Sequence, residues 1–366
     1  MTIEASGSGT GMNPLTVIKV VGAFIAFQVG SGFATGQEVL QFFAVEGLSG
    51  LLGSGIFIVL CSYVATSLFL SGQRQGFRNS EEVFIYYGGP VFGRLFTWYT
   101  LAVIYCVFCL MLAGGGAVLH EQLGLPGWVG SGLLALAVLL TLYFGLRELL
   151  NVIGFVGPLL IALIIAVCTF VIVNDPKAIA IGSSSARELT LYRASDSWWW
   201  SGLLYAALQV VGMFSFLPAV GATMHNRGEA IAAGILGPLL YFLTLVLVIL
   251  ALLVRMPHLQ GKMIPMLDLA NASLPWVGQL FAFIILAGIF TTLAPLLWIV
   301  LVKFTRDGSR AYRALSVVLT VGGFMASMFM PFDRFMNFIY PTVGYSGILL
   351  ILMMLAHQLS QRSRKL

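Results

Sequence analysis

The stretch QVGSGFATGQE, Gln28 to Glu38, places two side-chain amides and a carboxylate among three glycines, Gly30, Gly32 and Gly36, inside an otherwise apolar run. Glycine lets the backbone leave helical geometry. Lipid offers the freed N–H and C=O groups no partner, so such a segment must line an enclosed cavity and bind something there. A half-helix N-terminus favours an anionic group such as a carboxylate, and exposed carbonyls favour a cation. The plainer alternative is close helix packing through small residues. Glu38 lies about eight residues beyond the middle of this run, ~12 Å outward at 1.5 Å per residue. An intramembrane carboxylate is a functional candidate by default. Glu38 can carry a proton, bind a cationic substrate or gate, brace its half-helix with Gln37 and Gln41 as partners, or simply reach interfacial water.

A second cluster is AGIFTTLAP, where Gly288, Thr291 and Thr292 stand at i, i+3 and i+4 and share a helix face. Two hydroxyls and a carbonyl form a hard oxygen set suited to a monovalent cation. The alternative is that both threonines bond back to carbonyls in the preceding turn. No Ser/His/Asp arrangement, HExxH motif, phosphate loop or metal cluster occurs, so no enzyme and no cofactor is expected. The four cysteines, including the Cys106/Cys109 CxxC pair, fall in apolar runs and read as packing residues.

The elements that must hold these groups are membrane helices. The 366 residues are 59% hydrophobic and only 9% charged, with mean hydropathy +0.97. Apolar stretches predict ten spans, with limits of about 15–44, 49–71, 91–120, 128–145, 148–173, 198–224, 231–254, 276–302, 311–331 and 334–357. Putting the N-terminus inside places thirteen Lys and Arg on the cytoplasmic face against six outside, out of nineteen. Both termini are then cytoplasmic, in a cell inner membrane. Residues 1–14 read as a disordered tail without a signal peptide, and 358–366 as a second cytoplasmic tail. The basic residues are scattered over loops, which gives no nucleic-acid signal. A small-molecule substrate and the lipid bilayer are the expected partners.

Ten spans divide into repeats at 15–173 and 198–357, joined by an outer loop at 174–197. Five spans per half require the second half to be inverted. Three features support this division. Spans 1 and 6 each carry a predicted interruption, near Gly30 and near Val211–Gly212. A short amphipathic segment, NSEEVFIYYGGP, follows span 2, with Asn79 or Ser80 as cap and Gly-Gly-Pro as stop. A similar segment, PMLDLANASLP, follows span 7. Discontinuous helices at corresponding positions point to a midplane binding site.

VGSGFATGQEVLQFF resembles the first span of the YkvI-type bacterial membrane proteins, a branch of the amino acid–polyamine–organocation superfamily. The resemblance covers nearly the whole chain. It implies an all-α integral membrane fold of the LeuT type, ten helices in a 5+5 inverted arrangement with helices 1 and 6 broken. It implies secondary transport. By motif, Ala26 and Val29 supply carbonyls to one sodium, Gly288 a carbonyl, and Thr291 and Thr292 hydroxyls. Substrate lies against Gln28, Gly30, Ser31 and Gly32, against Gln209, Gly212 and Ser215 of span 6, and near Tyr105 of span 3. Phe33 stands where sodium-coupled relatives place an asparagine for a second sodium, so one sodium at most is expected. The basic outer-gate residue of those relatives is absent from span 1. The resulting expectation is a sodium symporter for a small carboxylate-bearing solute such as an amino acid. Proton coupling through Glu38 and a non-transporting, ligand-sensing receptor of the same fold stay open. The sequence specifies neither the solute nor the oligomeric state.

Overall fold

The computed structural model describes residues 12–144 and 147–363, so the expected N-terminal tail falls almost wholly outside the described residues. All regular structure among those residues is helical. The Asn13 side chain accepts the Leu15 N–H and Pro14 takes the first position, which starts α1 (Pro14–Gln28). Helical geometry then lapses. Val29 sits at φ −79°, ψ 71°, and Gly30 is extended at ψ 177°. Two short helices follow, α2 (Ser31–Thr35) and α3 (Gln37–Phe42), separated by Gly36 at φ +77°. The predicted break in span 1 is therefore present, and it is a double one.

The chain continues through α4 (Ser49–Gln75) into α5 (Ser80–Leu123). α5 is folded at Gly89, φ 75° and ψ 175°, immediately before Pro90. Proline removes a backbone donor and bars helical geometry at the residue before it. The Gly-Gly-Pro stop thus sets an amphipathic segment apart from the span proper, and Asn79 caps that segment by accepting the Glu82 N–H at 3.0 Å. Next come α6 (Gly127–Phe144), α7 (Arg147–Asn174) and α8 (Ala178–Ser185). The expected loop at 174–197 so contains a helix of its own. The second half comprises α9 (Trp198–Gly221), α10 (Arg227–Arg255), the short α11 (Pro265–Ser273), α12 (Pro275–Phe304), α13 (Arg310–Ser327) and α14 (Phe332–Ser363). Seven helices among the described residues are long and apolar enough to cross a membrane, while α1 and α6 are shorter apolar helices.

One expectation is corrected here. Span 6 is not interrupted at Val211–Gly212: α9 runs as one helix from Trp198 to Gly221. A lone glycine costs a helix roughly 1 kcal/mol against alanine, too little to break one that is packed on several sides. Gly212 instead makes room, since a Cβ there would lie 2.9 Å from the Phe27 ring.

α4 packs against α9 and α10, α1 against α10, and α14 against α9. A second group forms where α5 meets α6, α12 and α13. At the α4–α9 contact, a Cβ on Gly53 would stand 2.7 Å from the Trp198 carbonyl oxygen. One on Gly344 of α14 would stand 2.7 Å from the Leu204 carbonyl. Apolar side chains gain little over lipid tails in such a setting, so close backbone approach supplies the packing energy.

Candidate functional site

A cavity of about 390 Å³ lies where α1 ends. Phe27, Gln28, Gly30 and Gly32 reach it from the break in span 1, and Glu38 from α3. α5 contributes Thr100, Val103, Ile104, Val107 and Met111, one face of a helix by spacing. Gln209, Gly212, Ser215 and Phe216 come from α9, Thr292, Leu296 and Ile299 from α12, and Tyr340 and Val343 from α14. Most of the wall is apolar. Its polar groups are amides, hydroxyls and a single carboxylate, and no Lys, Arg or His lines it.

The carboxylate is the centre of a hydrogen-bonded chain. Glu38 is 5% exposed, and its Oε1 accepts a hydrogen bond from the Tyr205 hydroxyl at 2.9 Å. The Tyr205 and Tyr241 hydroxyl oxygens are 2.6 Å apart. Gln209 Nε2 donates to Tyr241 at 3.1 Å and to Tyr205 at 3.4 Å. Phe42, Phe43 and Phe57 surround the Tyr205 ring at centroid distances of 5.3, 4.9 and 5.4 Å. The chain therefore joins α3, α9 and α10 within a rigid aromatic shell. Gly32 is bare because a Cβ there would lie 2.6 Å from both Glu38 Oε2 and the Tyr340 hydroxyl. The Thr35 hydroxyl donates to the Gly32 carbonyl at 2.7 Å and closes the single turn of α2. Gln28 has the opposite character: it is buried, and its Nε2 has no hydrogen-bond partner.

Of the substrate residues read from sequence, Gln28, Gly30, Gly32, Gln209, Gly212 and Ser215 meet at this cavity. The Ser31 side chain lies outside the described residues. Tyr105 does not reach the cavity and is a correction. It sits one residue past Ile104 on α5, about 100° around the helix, and its hydroxyl donates to the Leu319 carbonyl of α13 at 2.9 Å. Of the cation set, Thr292 lines the cavity, whereas Ala26, Val29, Gly288 and Thr291 are not among its walls. Both threonine hydroxyls donate to the Gly288 carbonyl, at 3.0 and 2.9 Å. Glu38 is bonded by Tyr205 rather than by either neighbouring glutamine, and Gln41 Nε2 donates to the Asp333 carbonyl at 2.8 Å. Sequence reasoning missed Tyr205 and Tyr241. A signal existed, because a tyrosine hydroxyl in the middle of an apolar span needs a partner.

The helices and the broken first span define a class: the chain is a multi-pass membrane protein with the LeuT-type fold. It superposes on MhsT in complex with L-phenylalanine with a TM-score of 0.65 and 15% identity, covering 94% of this chain and 89% of that one. For the inward-facing conformation of Mhp1 the TM-score is 0.63 with 12% identity, over 95% and 77% of the two chains. In sequence it is similar to the uncharacterized membrane protein YkvI of Bacillus subtilis (strain 168), 23% identical over 328 residues, or 90% of this chain and 92% of YkvI. The uncharacterized protein YyaD of the same strain is 23% identical over 214 residues, 58% of this chain and 59% of YyaD. No protein-family model matches the chain. The likeness to YkvI-type proteins thus extends over nearly the whole chain.

Proposed function

We propose that the protein is a secondary active transporter that carries a small organic solute by alternating access, with the solute held in the cavity at the break in span 1. The observation that carries this reading is an interrupted helix opening onto a cavity whose polar groups are incompletely satisfied. The backbone leaves the helix at Val29–Gly30, and the buried Gln28 amide beside it has an unpaired nitrogen. A solute with a polar head at this end and an apolar body against Val103, Val107 and Leu296 matches that wall. An amino acid or a related carboxylate-bearing metabolite has this form, and MhsT, which shares the fold, is described with L-phenylalanine bound.

In this reading α1–α3 form the first of ten crossings, arranged as two inverted sets of five. The contact pattern supports it. α1 packs on α10 as α9 packs on α4, and α5 meets α13 as α12 meets α6. Exchanging the first crossing with the sixth, the second with the seventh and so on maps these contacts onto one another. Both termini are cytoplasmic by the distribution of basic residues. On α9 the cavity is lined from Leu208 and Gln209 at mid-helix through Val211, Gly212, Ser215 and Phe216 in the second half, and its α12 residues all belong to the second half of that helix. The cavity therefore extends toward the face that holds the termini. Phe27 and Phe216 stack there at 4.5 Å, and Phe27 is 38% exposed.

The coupling ion in this reading is one sodium, held by Thr292 with Thr291, Gly288 and the Ala26 and Val29 carbonyls. Thr292 facing the cavity supports it. A second reading, proton coupling through Glu38, is favoured by a different observation: a buried carboxylate with no cationic side chain on the cavity wall. Such a group needs a proton or a cation in place. Solute uptake into proteoliposomes under separate sodium and proton gradients tests both. Under sodium coupling, Thr292→Ala abolishes stimulation by sodium. Under proton coupling, Glu38→Gln removes dependence on the proton gradient while Thr292→Ala leaves flux intact. Solute-dependent thermal stabilisation with no flux under any gradient would overturn transport in favour of a receptor.

A further inference from the structure

A second hollow, of about 300 Å³, lies on the face that holds the chain termini. The end of α4, the first segment of α5, the start of α10 and the end of α14 enclose it. It shares no lining residue with the cavity at the helix break. Its chemistry is the reverse of that cavity's. Arg74, Arg227 and His357 line it, Ser71, Tyr86 and Gln361 add neutral polar groups, and no Asp or Glu lines it. Neither Arg74 nor Arg227 takes part in an ion pair among the described residues.

The position of Arg227 sharpens the point. It is the first residue of α10, beside the capping Asn226, where the positive end of a helix disfavours a cation. Glu229 in the same turn is buried and already accepts the Asn13 and His225 N–H groups at 3.0 and 2.9 Å. Among the described residues, two guanidinium groups and a helix start therefore face one polar hollow whose wall carries no counter-charge. Guanidinium forks match phosphate oxygens two at a time. Basic hollows between membrane helices on the cytoplasmic side receive anionic head groups.

We propose that this hollow binds a phosphate group, presented by an anionic phospholipid head group or by free phosphate, with Arg74 and Arg227 as its two clamps. The proposal stands apart from the transport reading and uses none of its residues. The test is thermal unfolding of the purified full chain in neutral detergent. Three additions are compared: phosphatidylglycerol, phosphatidylcholine, and inorganic phosphate against sodium chloride of equal ionic strength. Phosphatidylglycerol or inorganic phosphate is expected to raise the midpoint by roughly 2–4 °C, as ligands that bind only the folded state do. Phosphatidylcholine and chloride are expected to leave it unchanged. A response to the lipid alone assigns a head group, and a response to inorganic phosphate assigns a free anion. Arg74→Gln and Arg227→Gln should each remove most of the rise, while Arg310→Gln, at the start of α13, keeps it. No rise with either probe, or a full rise in both hollow variants, overturns the proposal. If those variants fail to fold, native mass spectrometry of the unaltered chain decides. Retention of phosphatidylglycerol or phosphate over phosphatidylcholine supports the site, and equal or no retention overturns it.

Discussion

Glu38 and Gln28 are both buried beside the break in span 1, yet they differ in how they are satisfied. Glu38 receives the Tyr205 hydroxyl, and Gln28 keeps a nitrogen without a partner. Leaving a buried polar group unmade costs about 1–3 kcal/mol, so a solute that accepts from Gln28 recovers that amount. Gln28→Leu is therefore expected to leave the solute-free protein at least as heat-stable, while abolishing the stabilisation that solute confers, as read by thermal shift with and without solute. Tyr205→Phe deprives Glu38 of its donor and should lower the unfolding midpoint. If the two groups act as a pair, Tyr205→Phe in a Glu38→Gln background should cost about 1 kcal/mol less than it does alone, measured by a double-mutant cycle. The carboxylate itself was legible in the sequence, since an acid inside an apolar span declares itself. Its partners were not. They sit 167 and 203 residues away in two other helices, and a long-range hydrogen bond leaves no local pattern.

The break in span 1 was legible at the level of elements because three glycines and several polar groups coincide there. The span 6 break was misread because glycine also serves close packing, and Gly212 does that against Phe27. Gly30 and Gly32 of span 1 separate in the same way. Nothing lies within 4 Å of a Cβ built on Gly30, whose φ of −76° suits any residue. Gly30→Ala is expected to transport at near wild-type rate. Gly32→Ala forces Glu38 and Tyr340 apart and should reduce transport at least tenfold, with the protein still folded by size-exclusion chromatography. Equal losses in both variants would show that the break needs flexibility rather than space. The Gly-Gly-Pro stop before span 3 was read correctly, because proline dictates backbone geometry without help from tertiary contacts.

For the whole molecule, composition alone announced a polytopic helical protein, and the fold shared with MhsT and Mhp1 agrees with the resemblance read from span 1. The side from which the cavity is reached was not written in the sequence, because it depends on how two groups of helices lean on each other. In a cysteine-free background, Ser215→Cys is expected to react with a membrane-impermeant thiol reagent applied from the face that holds the termini, and solute should protect it. Tyr205→Cys, in the sealed aromatic shell, should stay unreacted.

Bare backbone meeting bare backbone leaves no clearance for sliding. Gly53 and Gly202 touch across α4 and α9, and Gly344 and Gly347 seat α14 on Leu204 and Ala207. These three helices are seated together as one slab. Under the proposed alternating access, the bending that turns the pathway from one side of the membrane to the other then falls on joints outside the slab, at Val29–Gly30 and Gly89–Pro90. In that reading a covalent cross-link that ties α1 to the slab would strand the protein facing one way.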